Sequence, residues 1–176
     1  MTIQQTVTKE TYDFLKKFES NFCSLPNEEL LSINSFSLLW MLFENRLLNK
    51  SASAQKIIDK VNELKKDNKL SSIFWMPHLN YFQNRYISND GTNYLFDDLY
   101  FRKPDKKELV KAVLLGETNE PEETLAAILI IVLRLRNNLF HGEKWSYGIR
   151  DQQDNFKQSI DLLISCLTRF IYEKDL

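Results

Sequence analysis

The chain has 176 residues, enough for one domain with a sizeable core, and its 43% hydrophobic and 27% charged content is that of an ordinary globular protein. Four glycines and four prolines leave little material for the tight turns of an all-β fold. A formal net charge of −1 and a pI near 6.2 argue against a bulk nucleic-acid coat protein, while leaving room for a local phosphate site.

Helical periodicity runs through almost the whole chain. A first helix is predicted over Val7 to Cys23, with Tyr12, Leu15, Phe18 and Phe22 inward. Pro26 and Asn27 punctuate, and Glu28 and Glu29 suit the first turn of a second helix reaching about Asn49. Phe36, Leu39, Trp40, Phe43 and Leu47 form its apolar stripe. A third helix is expected over Ala54 to Lys69, with Ile57, Ile58, Val61 and Leu64 inward and "DKVNELKKDNK" as a solvated charged face.

Ser71 or Ser72 is a candidate cap for a helix near Ile73 to Tyr86, with Pro77 interrupting it. "SNDGTN" reads as a loop, and "YLFDDLYFRKPDKK" as irregular. Asp105 to Leu115 is a short helix ended by Gly116. Pro121 then opens the most apolar helix, with Glu122 and Glu123 in its first turn and Gly142 closing it. Asp151 to Tyr172 is the last, with Phe156, Ile160, Leu163, Ile164 and Leu167 inward. These elements predict an all-α bundle of about five to seven helices, forming one domain over residues 1–176.

Cys23 and Cys166 are far apart and lack metal-ligand spacing, so they read as reduced core thiols of a cytoplasmic protein. "MTIQQTVTKE" has no apolar stretch and predicts no signal peptide. The longest apolar run, Leu125 to Leu133, is too short to cross a bilayer, so no membrane partner is expected.

The chemistry concentrates in "RLRNNLFHGEKW", which ends the apolar helix. At about 100° per residue, Leu125, Ile128, Leu129, Val132, Arg136, Leu139 and Phe140 share a broad stripe, which puts Arg136 in line with core positions. A guanidinium there needs a carboxylate, a phosphate or a subunit interface. Asn137 and His141, at i and i+4, can touch, so the amide could aim the imidazole. Arg136 and His141 point about 140° apart on an ideal helix. They serve one site only if the helix ends or tightens near Phe140, or if the site lies between two copies. A bland reading competes: His and Arg complement the dipole at a helix C-terminus, and Gly ends the helix.

"RNNLFHG" resembles the signature of the HEPN superfamily (higher eukaryotes and prokaryotes nucleotide-binding domains): an Arg, a polar residue directly after it, and a His, with four to six residues between the Arg and the His. Here these are Arg136, Asn137 and His141, with four residues between. "FSLLWMLFENRL", Phe36 to Leu47, resembles the aromatic and acidic pattern that many such domains carry on an earlier helix. The resemblance covers the layout and these two segments, not Ser71 to Gly116.

It implies a helical bundle whose long apolar helix ends in the motif. It further implies a metal-independent endoribonuclease, acting as a toxin or in phage defence, with a site composed across a two-fold homodimer. Arg136, Asn137 and His141 would be catalytic, with Glu44 and Asn138 supporting. RNA is the expected substrate, with no cofactor or metal, and an antitoxin or other regulatory partner is a further expectation. The alternative is a non-catalytic HEPN module that binds nucleotides, RNA or proteins. One departure stands out: where related toxins often carry a Tyr that receives AMP two residues after the His, this chain has Glu143, with Tyr147 nearby.

Among neighbouring residues, Arg134 shares the His141 face and is a candidate substrate contact, roughly 10 Å away along the axis. Trp145 and Tyr147 could stack on a base or cover the dimer seam. Glu44 lies on an apolar helix face, where an ion pair with Arg136 or Arg46 competes with a proton-transfer role. His78, Trp75, Tyr81, Phe82 and Tyr86 are read as packing residues rather than as a base-stacking platform.

Overall fold

A computed structural model describes residues 7–18, 25–70, 74–89, 91–141 and 152–172. Among these are eight α-helices: α1 (Lys9–Phe18), α2 (Asn27–Leu47), α3 (Ala54–Lys66), α4 (Met76–Tyr86), the single turn α5 (Tyr94–Asp97), α6 (Lys107–Leu115), α7 (Pro121–Phe140) and α8 (Gln153–Phe170). A two-stranded antiparallel hairpin, β1 (Ile87–Ser88) and β2 (Gly91–Thr92), occupies the stretch expected to be a loop and the residue before it, Ile87. The all-α expectation holds, with this short hairpin as its one departure.

The sequence explains several helix ends. The Ser53 hydroxyl accepts from Lys56 N at 3.2 Å and caps α3. The Asn93 side chain accepts from Leu95 N and Phe96 N, starting α5 inside the segment expected to be irregular. Gly116, at φ +74°, closes α6 in a left-handed turn that a Cβ would strain. Pro77 does not interrupt α4; it sits in the first turn, where its missing N–H has no helical partner to lose. Within α1 no residue is buried, and Phe18 is exposed rather than inward; Ile164 on α8 is likewise exposed. Phe22, Cys23, Ser71, Ser72 and Gly142 lie outside the described residues.

Helix α7 is the axis of the bundle. Every residue from Thr124 to Leu135 is buried, so this span of the helix has no solvent face, as its uninterrupted apolar run suggests. Helices α3 and α6 pack most closely on it, with α4 also in contact, while α2 pairs with α8. Phe36, Trp40 and Phe43 from α2 and Phe156, Leu163 and Leu167 from α8 belong to the same continuous core. His78 is buried, with Nδ1 2.9 Å from Gln158 Oε1, as a packing residue should be.

Among the described residues, one cation is fully inside this core. Arg134 is 2% exposed, and its Nη1 lies 2.9 Å from Asp105 Oδ2, in the 3₁₀ turn Lys103–Asp105. Its Nε donates to Leu99 O at 3.0 Å and its Nη2 to Tyr100 O at 2.6 Å. Nη2 also reaches Asn138 Oδ1 at 3.3 Å, and Asn138 Nδ2 donates to Asp98 O and Leu99 O. One turn of α7 thereby satisfies the carbonyls of a segment with little regular structure of its own.

Two measurements test this packing. Arg134→Met removes one partner of a buried ion pair and is expected to cost about 3–5 kcal/mol in denaturant unfolding. Changing Asp105 to Leu in the same chain should recover part of that loss, because no charge is then left buried alone. Cys166 is fully buried and burial pushes its thiol pKa up. In a Cys23→Ser background it should therefore resist a thiol reagent at pH 8 until the protein unfolds. Rapid labelling under native conditions would contradict the described packing around α8.

Candidate functional site

The last two turns of α7 separate the residues read from the sequence. Helix α7 runs regularly to Phe140, and His141 is its C-cap, at φ −89° and ψ 4°. The His141 N–H still donates to Asn137 O at 2.9 Å, so His141 stays on the helical path. The helix ends at this point without turning the imidazole towards Arg136. The ideal divergence of about 140° between the two therefore applies within one chain. The His141 side chain is exposed to solvent.

Arg136 is half-buried and faces α2. Its Nη1 donates to Asn137 Oδ1 at 3.0 Å, and its guanidinium carbon lies 5.0 Å from the Phe140 ring centroid. Its Nη2 lies 3.9 Å from Glu44 Oε2, too long for a hydrogen bond but close enough for charge attraction. Arg136 is thus at the edge of the core, 31% exposed at its side chain, rather than in line with it. The amide oxygen of Asn137 serves the guanidinium, whereas the spacing had suggested the imidazole.

Glu44 is held by its own helix and by the turn that follows it. Trp40 Nε1 donates to Oε2 at 2.8 Å, and Ala52 N donates to Oε1 at 2.9 Å. Both carboxylate oxygens therefore carry a hydrogen bond, and the nearby guanidinium adds attraction. The arrangement suits a positioning role, in which Glu44 fixes the end of α2 and draws Arg136 towards it.

Two expectations change. Arg134 does not reach solvent: it is buried against Asp105, Leu99 and Tyr100, so it is a structural cation and not a substrate contact. It is also followed by apolar Leu135, whereas Arg136 is followed by Asn137. Asn138 is buried and supports the fold by bracing Arg134 and the Asp98 and Leu99 carbonyls. Trp145 and Tyr147 lie outside the described residues. Among the described residues, no three His, Cys, Asp or Glu side chains are grouped to hold a metal ion.

Two contributors were missed by sequence reasoning, Trp40 as the donor to Glu44 and Phe140 as the face beneath Arg136. Both stand four residues from their partners, a spacing that signals contact on a helix. Glu44→Gln turns an acceptor oxygen into an amide donor facing Trp40 Nε1 or Ala52 N. A loss of about 1–3 kcal/mol in stability is expected, measured by thermal or denaturant unfolding. An unchanged midpoint would remove the positioning role.

Compared with family models, with curated proteins and with solved structures, the chain gives no match.

Proposed function

We propose that the chain is an endoribonuclease of the HEPN type, acting without a metal at a site shared by two copies. The carrying observation is the pairing of a half-exposed Arg136, cradled by Asn137, Glu44 and Phe140, with an exposed His141 at the end of the same helix. The partial exposure of Arg136 and Asn137 and the full exposure of His141 support access by solvent and by a phosphate. Their divergence within one chain favours a site completed by a second copy, as a two-fold axis through the helix end would provide.

RNA supplies its own nucleophile. The 2′-oxygen attacks the phosphorus as one imidazole takes the hydroxyl proton, and the P–O5′ bond breaks as the other imidazolium protonates the departing oxygen. Arg136 opposes the charge that builds on the phosphorane oxygens. The products are a 2′,3′-cyclic phosphate and a 5′-hydroxyl. Cleavage of cellular RNA would suit a toxin or phage-defence effector held in check by an antitoxin or another regulatory partner.

The second reading, a non-catalytic nucleotide-, RNA- or protein-binding module, draws on one observation. The Arg136 guanidinium already has Asn137, Phe140 and the Glu44 carboxylate as neighbours, so an incoming phosphate must compete with them. Gel analysis of end-labelled RNA separates the two. The wild type should cleave equally well in EDTA, while His141→Ala and Arg136→Ala should each lose about 10²-fold or more in rate. Intact RNA with all three proteins, or cleavage abolished by EDTA, would sink the proposal.

A further inference from the structure

The segment between α5 and α6 has a chemistry of its own. Arg102, Lys103, Lys106 and Lys107 fall within six positions of a chain whose net charge is −1. Together with Phe101, Glu108 and Leu109 they line a surface concavity of about 430 Å³. Asp105, the carboxylate in their midst, points inward to Arg134. Lys107 Nζ pairs with Asp97 Oδ1 at 3.0 Å. Arg102, Lys103 and Lys106 are exposed and make no ion pair among the described residues, and Glu108 is the one carboxylate on the lining. The concavity is therefore net positive.

Its backbone is set in place before any ligand arrives. Arg134 grips Leu99 O, Tyr100 O and Asp105, while Asp105 Oδ2 also accepts from Arg102 N at 2.7 Å. Arg134, Asn138 and His141 follow each other at i, i+4 and i+7, so the segment is fastened to the face of α7 that ends in His141. Tyr100, two positions before Arg102, is 43% exposed, although its carbonyl is pinned by Arg134. Clustered cations with an exposed tyrosine close by in the chain suit a polyanion that carries stackable bases. A lipid surface would instead want exposed apolar side chains among the cations, and the apolar lining residues Phe101 and Leu109 are both half-buried.

We infer that this concavity is a docking track for the sugar–phosphate backbone of single-stranded RNA, with Arg102, Lys103 and Lys106 as its phosphate contacts. The identity of the polyanion rests on the ribonuclease reading above. The track would hold the strand on the α7 face that ends in His141, roughly 10 Å back along the axis at the level of Arg134 and so clear of the bond being cut. It therefore contributes to KM more than to kcat.

The test measures binding apart from cleavage. Fluorescence anisotropy of a labelled single-stranded RNA is followed against His141→Ala protein, with and without R102Q/K103Q/K106N; Asn is used at 106 because Lys106 has φ +58°. A K56Q/K60Q/K66Q set on α3 removes equal charge elsewhere. With about 0.7 counterions released per phosphate contact, the 102/103/106 set should flatten the log–log salt slope by about 2 and weaken binding about tenfold or more at 0.1 M salt. The α3 set should do neither. In the cleavage-competent chain the same changes should raise KM and spare kcat.

Equal RNA affinity with and without the 102/103/106 changes overturns the track and leaves the nuclease reading standing. Absence of RNA binding, or binding to anionic vesicles in place of RNA, overturns it as well. Weakened binding by the 102/103/106 set together with uncut RNA in the wild type supports the track while refuting the nuclease.

Discussion

A guanidinium cannot shed its charge, and Arg134 places one in the core of this bundle. Much of the architecture around α7 follows from satisfying it. A carboxylate, two backbone carbonyls and an amide oxygen converge on it, three of these four from the irregular stretch between α5 and α6. That stretch holds Tyr100 at φ 50° and Lys106 at φ 58°, left-handed conformations that non-glycine residues adopt at a cost. The buried pair and its hydrogen bonds offset that cost and bind the stretch to the central helix. Replacing either partner alone strands a charge where water cannot reach it.

The same helix carries a second arginine two residues later, and the two have different work. Their directions differ by about 160°, which sends Arg134 towards the 98–105 segment and Arg136 towards α2. Burial separates them further. Arg134 is sealed, whereas Arg136 lies at the rim between Glu44 and Phe140, where its charge is still available to an anion. A helix buried on every side can present polar chemistry only at its ends. The C-terminal end of α7 is where this one does so.

Much of this was legible in the sequence because periodicity reports burial. Helices α2, α3, α4, α6, α7 and α8 stand close to where apolar spacing, Pro121 and Gly116 put them, whereas α5 does not. What the pattern could not reveal is which of two arginines is inside. That depends on Asp105, 29 positions earlier and in a segment without periodicity, and no local rule connects such distant positions. The half-buried position of Arg136 and the turning of Asn137 towards it likewise depend on α2, a tertiary partner.

The bond between Trp40 and Glu44 carries a practical consequence. The indole N–H shares the carboxylate oxygen that lies nearest Arg136, inside a side chain that is almost wholly enclosed. An anion drawing the guanidinium away would change the electric field along that indole, with no dye or label introduced. Tryptophan emission thus becomes a native optical gauge of whether the rim of α7 is occupied. Phenylalanine substitutions at the other two tryptophans would isolate its signal.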